Sequence, residues 1–193
     1  MKLLEDKIKS CGKTVGSDIV KVDMFLNHQV DPVLMHEIGK EFKRLFENEG
    51  ITKILTIEVS GIAPAVFAAL ELNVPLVFAK KNEAKNLDAS VYSADVFSFT
   101  KNKTYTIRVS KDYLSKDDKV LLIDDFLANG KALLGMLDIV KQAGAETKGI
   151  GIVIEKGFQP GGKEIRDMGY RVESLAIISS IADGVITFAE NNC

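Results

Sequence analysis

Residues 120–133 read Val-Leu-Leu-Ile-Asp-Asp-Phe-Leu-Ala-Asn-Gly-Lys-Ala-Leu. A short apolar run leads into two adjacent acids, Asp124 and Asp125. A small-residue turn follows, then an amphipathic stretch. This order predicts a strand covered on both faces over 120–123, a loop at its carboxyl end and a helix start. Open α/β sheets bind ligands at that edge. Ionised carboxylates only accept hydrogen bonds, so Asp124 and Asp125 suit hydroxyl donors. The turn Ala128-Asn129-Gly130-Lys131-Ala132 has little bulk, and Gly130 tolerates positive φ. Amide N–H groups at the helix start, with the helix dipole behind them, suit a phosphate dianion. Together these parts fit a ribose 5-phosphate. The spacing alone also suits an ordinary βα loop with an acidic end.

The flanking sequence repeats the strand–helix alternation. Asp31-Pro32 opens a helix, because Asp can cap and Pro suits the first helical position. Leu34, Ile38, Phe42, Leu45 and Phe46 share one face of it, and Gly50 is a natural stop. Residues 53–57 read as a strand, 62–72 as an alanine-rich helix and 75–79 as a further strand. Imperfect alternation over 92–109 predicts a β-ribbon with a polar tip. The helix after the acid pair ends near Gly144. A strand over 147–154, a short helix over 161–169 and a final strand over 171–178 complete the pass. Such alternation predicts an α/β fold with a mainly parallel sheet and right-handed crossovers.

Bulk composition narrows the function classes. The 193 residues suit one α/β domain, and 46% hydrophobic content supplies an ordinary core. A formal net charge of −2 gives no basic footprint for nucleic acid. No apolar run approaches the ~18 residues of a membrane span. The densely charged N-terminus does not read as a secretory leader. Two cysteines, Cys11 and Cys193, suggest no disulfide framework and fit a reducing, cytoplasmic setting. His28 and His36 have the wrong spacing for a metal pair. No Gly-x-Gly-x-x-Gly turn follows the first strand, which argues against a dinucleotide-binding enzyme.

Three further stretches invite a ligand or a plain structural role. Glu58-Val59-Ser60-Gly61 joins a strand to a helix, so Ser60 and Gly61 offer backbone N–H groups to a second anion. Taken alone it also reads as an ordinary turn. Residues 99–111 carry Lys101, Lys103, Arg108 and Lys111, a charge run that by default is solvated. In Glu155-Lys156-Gly157-Phe158, Phe158 could stack on a flat base and Lys156 could donate to a carbonyl oxygen. Residue types alone favour a loop with one exposed Lys and one packed Phe. Asn27 carries both a donor and an acceptor, which fits a heterocycle edge.

The series of apolar run, two acids, two further residues and a small-polar-Gly turn resembles the ribosyl-phosphate signature of the type I phosphoribosyltransferases. Asn129 stands where that family usually has threonine. Within the family the chain is similar to the bacterial xanthine-using group. Asn27-His28-Gln29-Val30-Asp31-Pro32, the Ala128-Asn129-Gly130 form of the turn and Glu155-Lys156-Gly157-Phe158 carry that resemblance. It implies a single domain over 1–193, with a hood over the base from about 1–30 and 155–193 and a flexible lid at about 98–111. It implies transfer of the 5-phosphoribosyl group from 5-phosphoribosyl 1-pyrophosphate to xanthine. By position, Val20, Asn27 and Lys156, with Phe158, would line the xanthine site. Asp124, Asp125, the 128–132 turn, Ser60 and Gly61 would hold the sugar pyrophosphate. Mg2+ is expected through the substrate's own oxygens rather than a protein cage, and a homodimer is implied. Adenine-using members often carry arginine at the Ser60 position, so here a cation must come from elsewhere or Mg2+ must carry more of the charge. Animal-type hypoxanthine-guanine enzymes put aspartate where Ala128 stands here, which argues against that type and against a general base at that place; the sequence fixes no other catalytic acid or base. The alternatives are a guanine or hypoxanthine enzyme, or a regulator that senses the sugar pyrophosphate. About thirty residues before the first core helix are too few for that regulator's DNA-binding domain.

Overall fold

The computed structural model describes residues 1–82, 90–98 and 103–189. Its centre is an eight-stranded sheet in the order β10-β9-β8-β7-β3-β4-β6-β5. The five middle strands are parallel: β9 (Val172–Ala182), β8 (Glu146–Lys156), β7 (Lys119–Leu127), β3 (Lys53–Ile57) and β4 (Leu76–Asn82). The edges run antiparallel. β10 (Val185–Phe188) pairs with β9, and the ribbon of β5 (Val91–Ser98) and β6 (Lys103–Ser110) joins through β4. The architecture is therefore the α/β class expected, with a mainly parallel sheet flanked by helices.

Alternation along the strands divides the core into two. Leu121 and Ile123 of β7 pack with α1 (Lys2–Cys11), α2 (Pro32–Phe46) and α3 (Ile62–Leu72). Val120 and Leu122 pack on the other face with α4 (Lys131–Ala143), Ile165 of α5 (Gly161–Asp167) and the ribbon. A strand buried on both faces needs this continuous apolar run. Helix α2 begins as its sequence predicts: Asp31 Oδ1 accepts from the Leu34 N–H at 3.1 Å, and Pro32 is its first residue. Lys7 of α1 holds the other carboxylate oxygen at 2.9 Å, so the cap also fastens the N-terminal helix.

The structure departs from the sequence reading at strand ends and in the terminal segments; β8 and β9 run on to Lys156 and Ala182 rather than to 154 and 178. Strand β7 does not end at Ile123 but continues through both acids, because its ladder with β8 persists to the Leu127–Glu155 pair. Strand β4 runs to residue 82 rather than 79. The terminal segments also hold elements the reading lacked: α1, a hairpin of β1 (Lys13–Val15) and β2 (Ile19–Lys21), a π-helical stretch over Asp23–Asn27, and β10. Phe99, Lys101 and the rest of the ribbon tip over 99–102 lie outside the described residues, as does Cys193. No helix among the described residues is long and apolar enough to cross a membrane.

Candidate functional site

The parallel strands direct their carboxyl ends to one edge, and the acid pair lies there on β7. Asp124 is only 4% exposed. Burial drives its carboxyl well above the usual carboxylate range, and the negative charge of Asp125 adds to that. Asp125 is also raised, by burial foremost. The Asp125 backbone N–H donates to Asp124 Oδ1 at 3.0 Å. Two carboxylates so placed hold charge poorly by themselves. Hydroxyl donors or a cation brought by a ligand would relieve them.

The chain then turns through Ala128, Asn129 and Gly130, and α4 starts at Lys131. Gly130 takes φ 72°, a left-handed conformation that glycine adopts without strain. Among the described residues no side chain caps the first turn of α4, so its N–H groups face the edge with the dipole aligned. Asp124, Ala128, Asn129, Gly130, Lys131 and Ala132 line one cavity of about 200 Å3. Val96, Phe97 and Tyr105 of the ribbon form its other wall. Asp125 and Ser60 do not line it.

A second loop meets the acids from β3. The Glu58 N–H donates to the Ala79 oxygen at 3.1 Å, and the Lys81 N–H donates to Glu58 Oε1 at 2.5 Å. These bonds pin the loop over residues 58–61 to β4. Gly61 leaves no room for a side chain: a Cβ would stand 2.3 Å from Thr56 Oγ1 and 3.0 Å from Asp124 Oδ1. The glycine thus lets the loop backbone press against Thr56 and Asp124. Thr56 is fully buried, and its hydroxyl oxygen has no hydrogen-bond partner among the described residues.

Lys81 is a residue that the sequence reading missed. Its charge acts on both Asp124 and Asp125, lowering each. Its Nζ lies 5.3 Å from the centre of the Tyr105 ring, and burial together with Asp124 raises the Tyr105 hydroxyl. The reading sought a cation at position 60 or on the lid. Reading β4 through to residue 82 would have put Lys81 at the carboxyl edge.

The candidate base residues stand in the terminal segments and at the end of β8. Val20 is 7% exposed and packs into the core beside Val22 and Phe25, so it presents little free surface. Asn27 closes the π-helical stretch, and its Oδ1 is buried without a partner among the described residues. Lys156 is the last residue of β8, and its Nζ donates to the Asp18 backbone oxygen at 2.6 Å. Burial lowers the Lys156 amine from its ordinary value, with Asp18 opposing. That contact ties β8 to the turn that joins β1 and β2. Phe158 is 39% exposed just beyond it. Of the lid cations, Lys103 and Arg108 lie on β6 and Lys101 falls outside the described residues. His36 bonds Glu71 at 2.8 Å between α2 and α3.

Comparison with known proteins bears on the family and the fold. Residues 29–183 match the model of the phosphoribosyl transferase domain. The chain is 59% identical over 191 residues to a xanthine phosphoribosyltransferase of Bacillus cytotoxicus, covering 99% of this chain and 97% of that protein. It is 58% identical over 190 residues to a xanthine phosphoribosyltransferase of Ruminiclostridium cellulolyticum, covering 98% and 100%. Among solved structures, an adenine phosphoribosyltransferase of Rhodothermus marinus superposes with a TM-score of 0.74 at 22% identity, over 92% of this chain and all of that one. The APRTase of Giardia lamblia, complexed with 9-deazaadenine, gives 0.74 at 24% identity, over 90% and 96%. At such identities these two likenesses speak for the fold.

Proposed function

The chain belongs to the phosphoribosyl transferase family, and from that premise we infer that it joins xanthine to 5-phosphoribosyl 1-pyrophosphate. The products are xanthosine 5′-monophosphate and pyrophosphate. Choice of xanthine follows from the near-full-length identity to xanthine phosphoribosyltransferases. The observation that supports the sugar-phosphate half is the cavity where Asp124 meets the turn at Ala128–Ala132.

In this reading purine N9 attacks the anomeric carbon as pyrophosphate departs, through a transition state with oxocarbenium character. Asp124 and Asp125 accept from the ribose hydroxyls. The N–H groups of the 128–132 turn hold the 5-phosphate. Ser60, Gly61 and Lys81 face the departing pyrophosphate, and Lys81 supplies the cation that position 60 lacks. Lys156 donates to a xanthine carbonyl oxygen, and the unpartnered Asn27 Oδ1 accepts from a ring N–H. Phe158 covers the flat face of the base, and Val20 backs it. Holding both reactants in place contributes up to ~7–11 kcal/mol to barrier reduction in favourable cases. The ribbon excludes water that would otherwise hydrolyse the activated sugar. No side chain is assigned as catalytic acid or base.

Magnesium fits this donor set. A buried and a half-buried carboxylate, both with raised pKa values, gain from a nearby cation, whereas no cluster of three or more His, Cys, Asp or Glu ligands occurs among the described residues. Brought in with the sugar pyrophosphate beside Asp124 and Asp125, such an ion would neutralise charge on the leaving group.

We assign the working form as a homodimer in a reducing, cytoplasmic compartment. Helix α3 leaves Val66 and Leu70 exposed one turn apart, with Val59 exposed in the loop that leads into it. Such apolar exposure suits a subunit contact. Light scattering should give twice the 21.1 kDa chain mass. The decisive assay is pyrophosphate release with xanthine, guanine, hypoxanthine and adenine. Xanthine should show the highest kcat/KM, and a higher value for any other base would refute the assignment.

A further inference from the structure

Glu155 and Arg166 form a pair outside the residues assigned above. Glu155 is 4% exposed at the end of β8, opposite Leu127 in the ladder and directly before Lys156. The Arg166 guanidinium donates to both its oxygens, at 2.8 and 2.7 Å, and the Ser174 hydroxyl of β9 donates to Oε2 at 2.5 Å. Burial pushes the Glu155 carboxyl up, but the Arg166 and Ser174 hydrogen bonds outweigh it and hold the group below its ordinary value. The carboxylate is thus ionised and bound on both oxygens. Planar two-point pairing of this kind fixes orientation as well as distance.

The pair acts at the two ends of α5. Arg166 is near its end. At its start, a Cβ on Gly162 would stand 1.9 Å from Glu155 Oε1, so the helix backbone rests against the carboxylate itself. The preceding residue, Gly161, donates its N–H to the Ala128 oxygen at 3.0 Å. A Cβ there would stand 2.4 Å from the Ala128 oxygen, 2.5 Å from the Gly130 nitrogen and 2.8 Å from the Asn129 carbonyl carbon. The first turn of α5 is therefore wedged under the whole Ala128–Gly130 turn, and Glu155 sets how far in it goes.

We propose that Glu155, paired with Arg166, is a positioning residue for the sugar substrate: through the Gly161–Gly162 contact it sets the turn whose amides bind the 5-phosphate. The proposal rests on the function assigned above and adds a specific element to it. Glu155 touches no substrate. Its effect falls on the phosphate end and leaves the pyrophosphate loop alone, because the contacts that pin residues 58–61 run to β4 and Asp124.

The test is calorimetric binding of ribose 5-phosphate and, separately, of pyrophosphate with Mg2+, on the full chain. Wild type, Glu155→Gln, Ser174→Ala and Gly161→Ala are compared, with KM values for both substrates. Misplacing a positioned group by about 1 Å can cost on the order of a hundredfold, so a partial displacement should cost about tenfold or more. Glu155→Gln and Gly161→Ala should weaken ribose 5-phosphate binding by at least about tenfold, with Ser174→Ala intermediate. Pyrophosphate affinity and the KM for xanthine should stay within about twofold of wild type. Equal losses for ribose 5-phosphate and pyrophosphate would overturn the proposal, as would unchanged ribose 5-phosphate binding in Gly161→Ala. Should Glu155→Gln fail to fold, Ser174→Ala and Gly161→Ala decide by the same criteria. Failure of wild type to bind ribose 5-phosphate or to turn over would instead strike at the assigned function.

Discussion

Asp124→Asn should make the protein more stable and the enzyme worse. The substitution keeps shape, and the new side-chain oxygen can still accept from the Asp125 N–H. What it removes is a charge that is 4% exposed and raised by burial first and by Asp125 second. A group with a raised folded-state pKa adds stability below its unfolded value, about 3.9, and that contribution is lost as pH rises through the folded value. As pH rises from about 4, Asp124 therefore costs stability relative to a side chain that cannot ionise, and the Asn variant is spared that cost. A gain on the order of 0.5–2 kcal/mol is expected at a site of this kind. For a chain of this length that is about 1–8 °C in Tm. The gain should shrink towards zero as pH falls towards about 4. Function moves the other way. A hydrogen bond from a ribose hydroxyl to a charged acceptor is worth about 1.5–3 kcal/mol, and 1.4 kcal/mol is about tenfold. The KM for 5-phosphoribosyl 1-pyrophosphate should thus rise about 10- to 150-fold. Thermal melts from pH 4 to 8, set beside initial rates of pyrophosphate release, test both halves. A variant that melted lower than wild type at pH 7.5, or that kept its KM, would refute the reasoning.

Other perturbations separate the parts of the site. Lys156→Ala should raise the KM for xanthine about tenfold or more while leaving that for the sugar substrate nearly unchanged; equal effects on both would count against a base contact. Lys81→Met removes the charge that lowers both acids, so the acidic limb of the kcat/KM profile should move to higher pH; a limb that stays put would show that Lys81 acts elsewhere. Gly61→Ala forces a Cβ against Thr56 and Asp124, and overpacking of this sort costs about 1–3 kcal/mol; denaturant melts should show it together with weaker pyrophosphate binding. Thr56→Val exchanges a buried, unpartnered hydroxyl for a methyl of similar shape, so Tm should hold or rise; a fall of several degrees would mean the hydroxyl has a partner.

Legibility differed sharply between elements. Helix α2 could be read to its first residue because cap, proline and apolar face all lie within one local stretch. Strands β3, β7 and β8 could be read because burial on both faces demands long apolar runs. Their ends were harder. β7 reads as stopping at Ile123, where apolar character stops, yet its ladder with β8 carries it past both acids. Helix α1 buries only Leu4 and Ile8 in a densely charged segment, so its period is faint. The strands of the β1–β2 hairpin are three residues each, too short for alternation to register.

Local chemistry was written along the chain. The acid pair, the small-residue turn and the helix start are consecutive, so their juxtaposition needs nothing beyond backbone geometry. The sequence alone was therefore enough to single out this edge as the candidate site for a sugar phosphate. What the tertiary structure alone decided are encounters between distant residues: Lys81 with Asp124, Gly61 against Thr56 and Asp124, and Gly161 beneath the Ala128–Gly130 turn with Glu155 and Arg166 behind it. Those depend on sheet order and strand register, which arise from packing of the whole core, and no single stretch of sequence encodes the result.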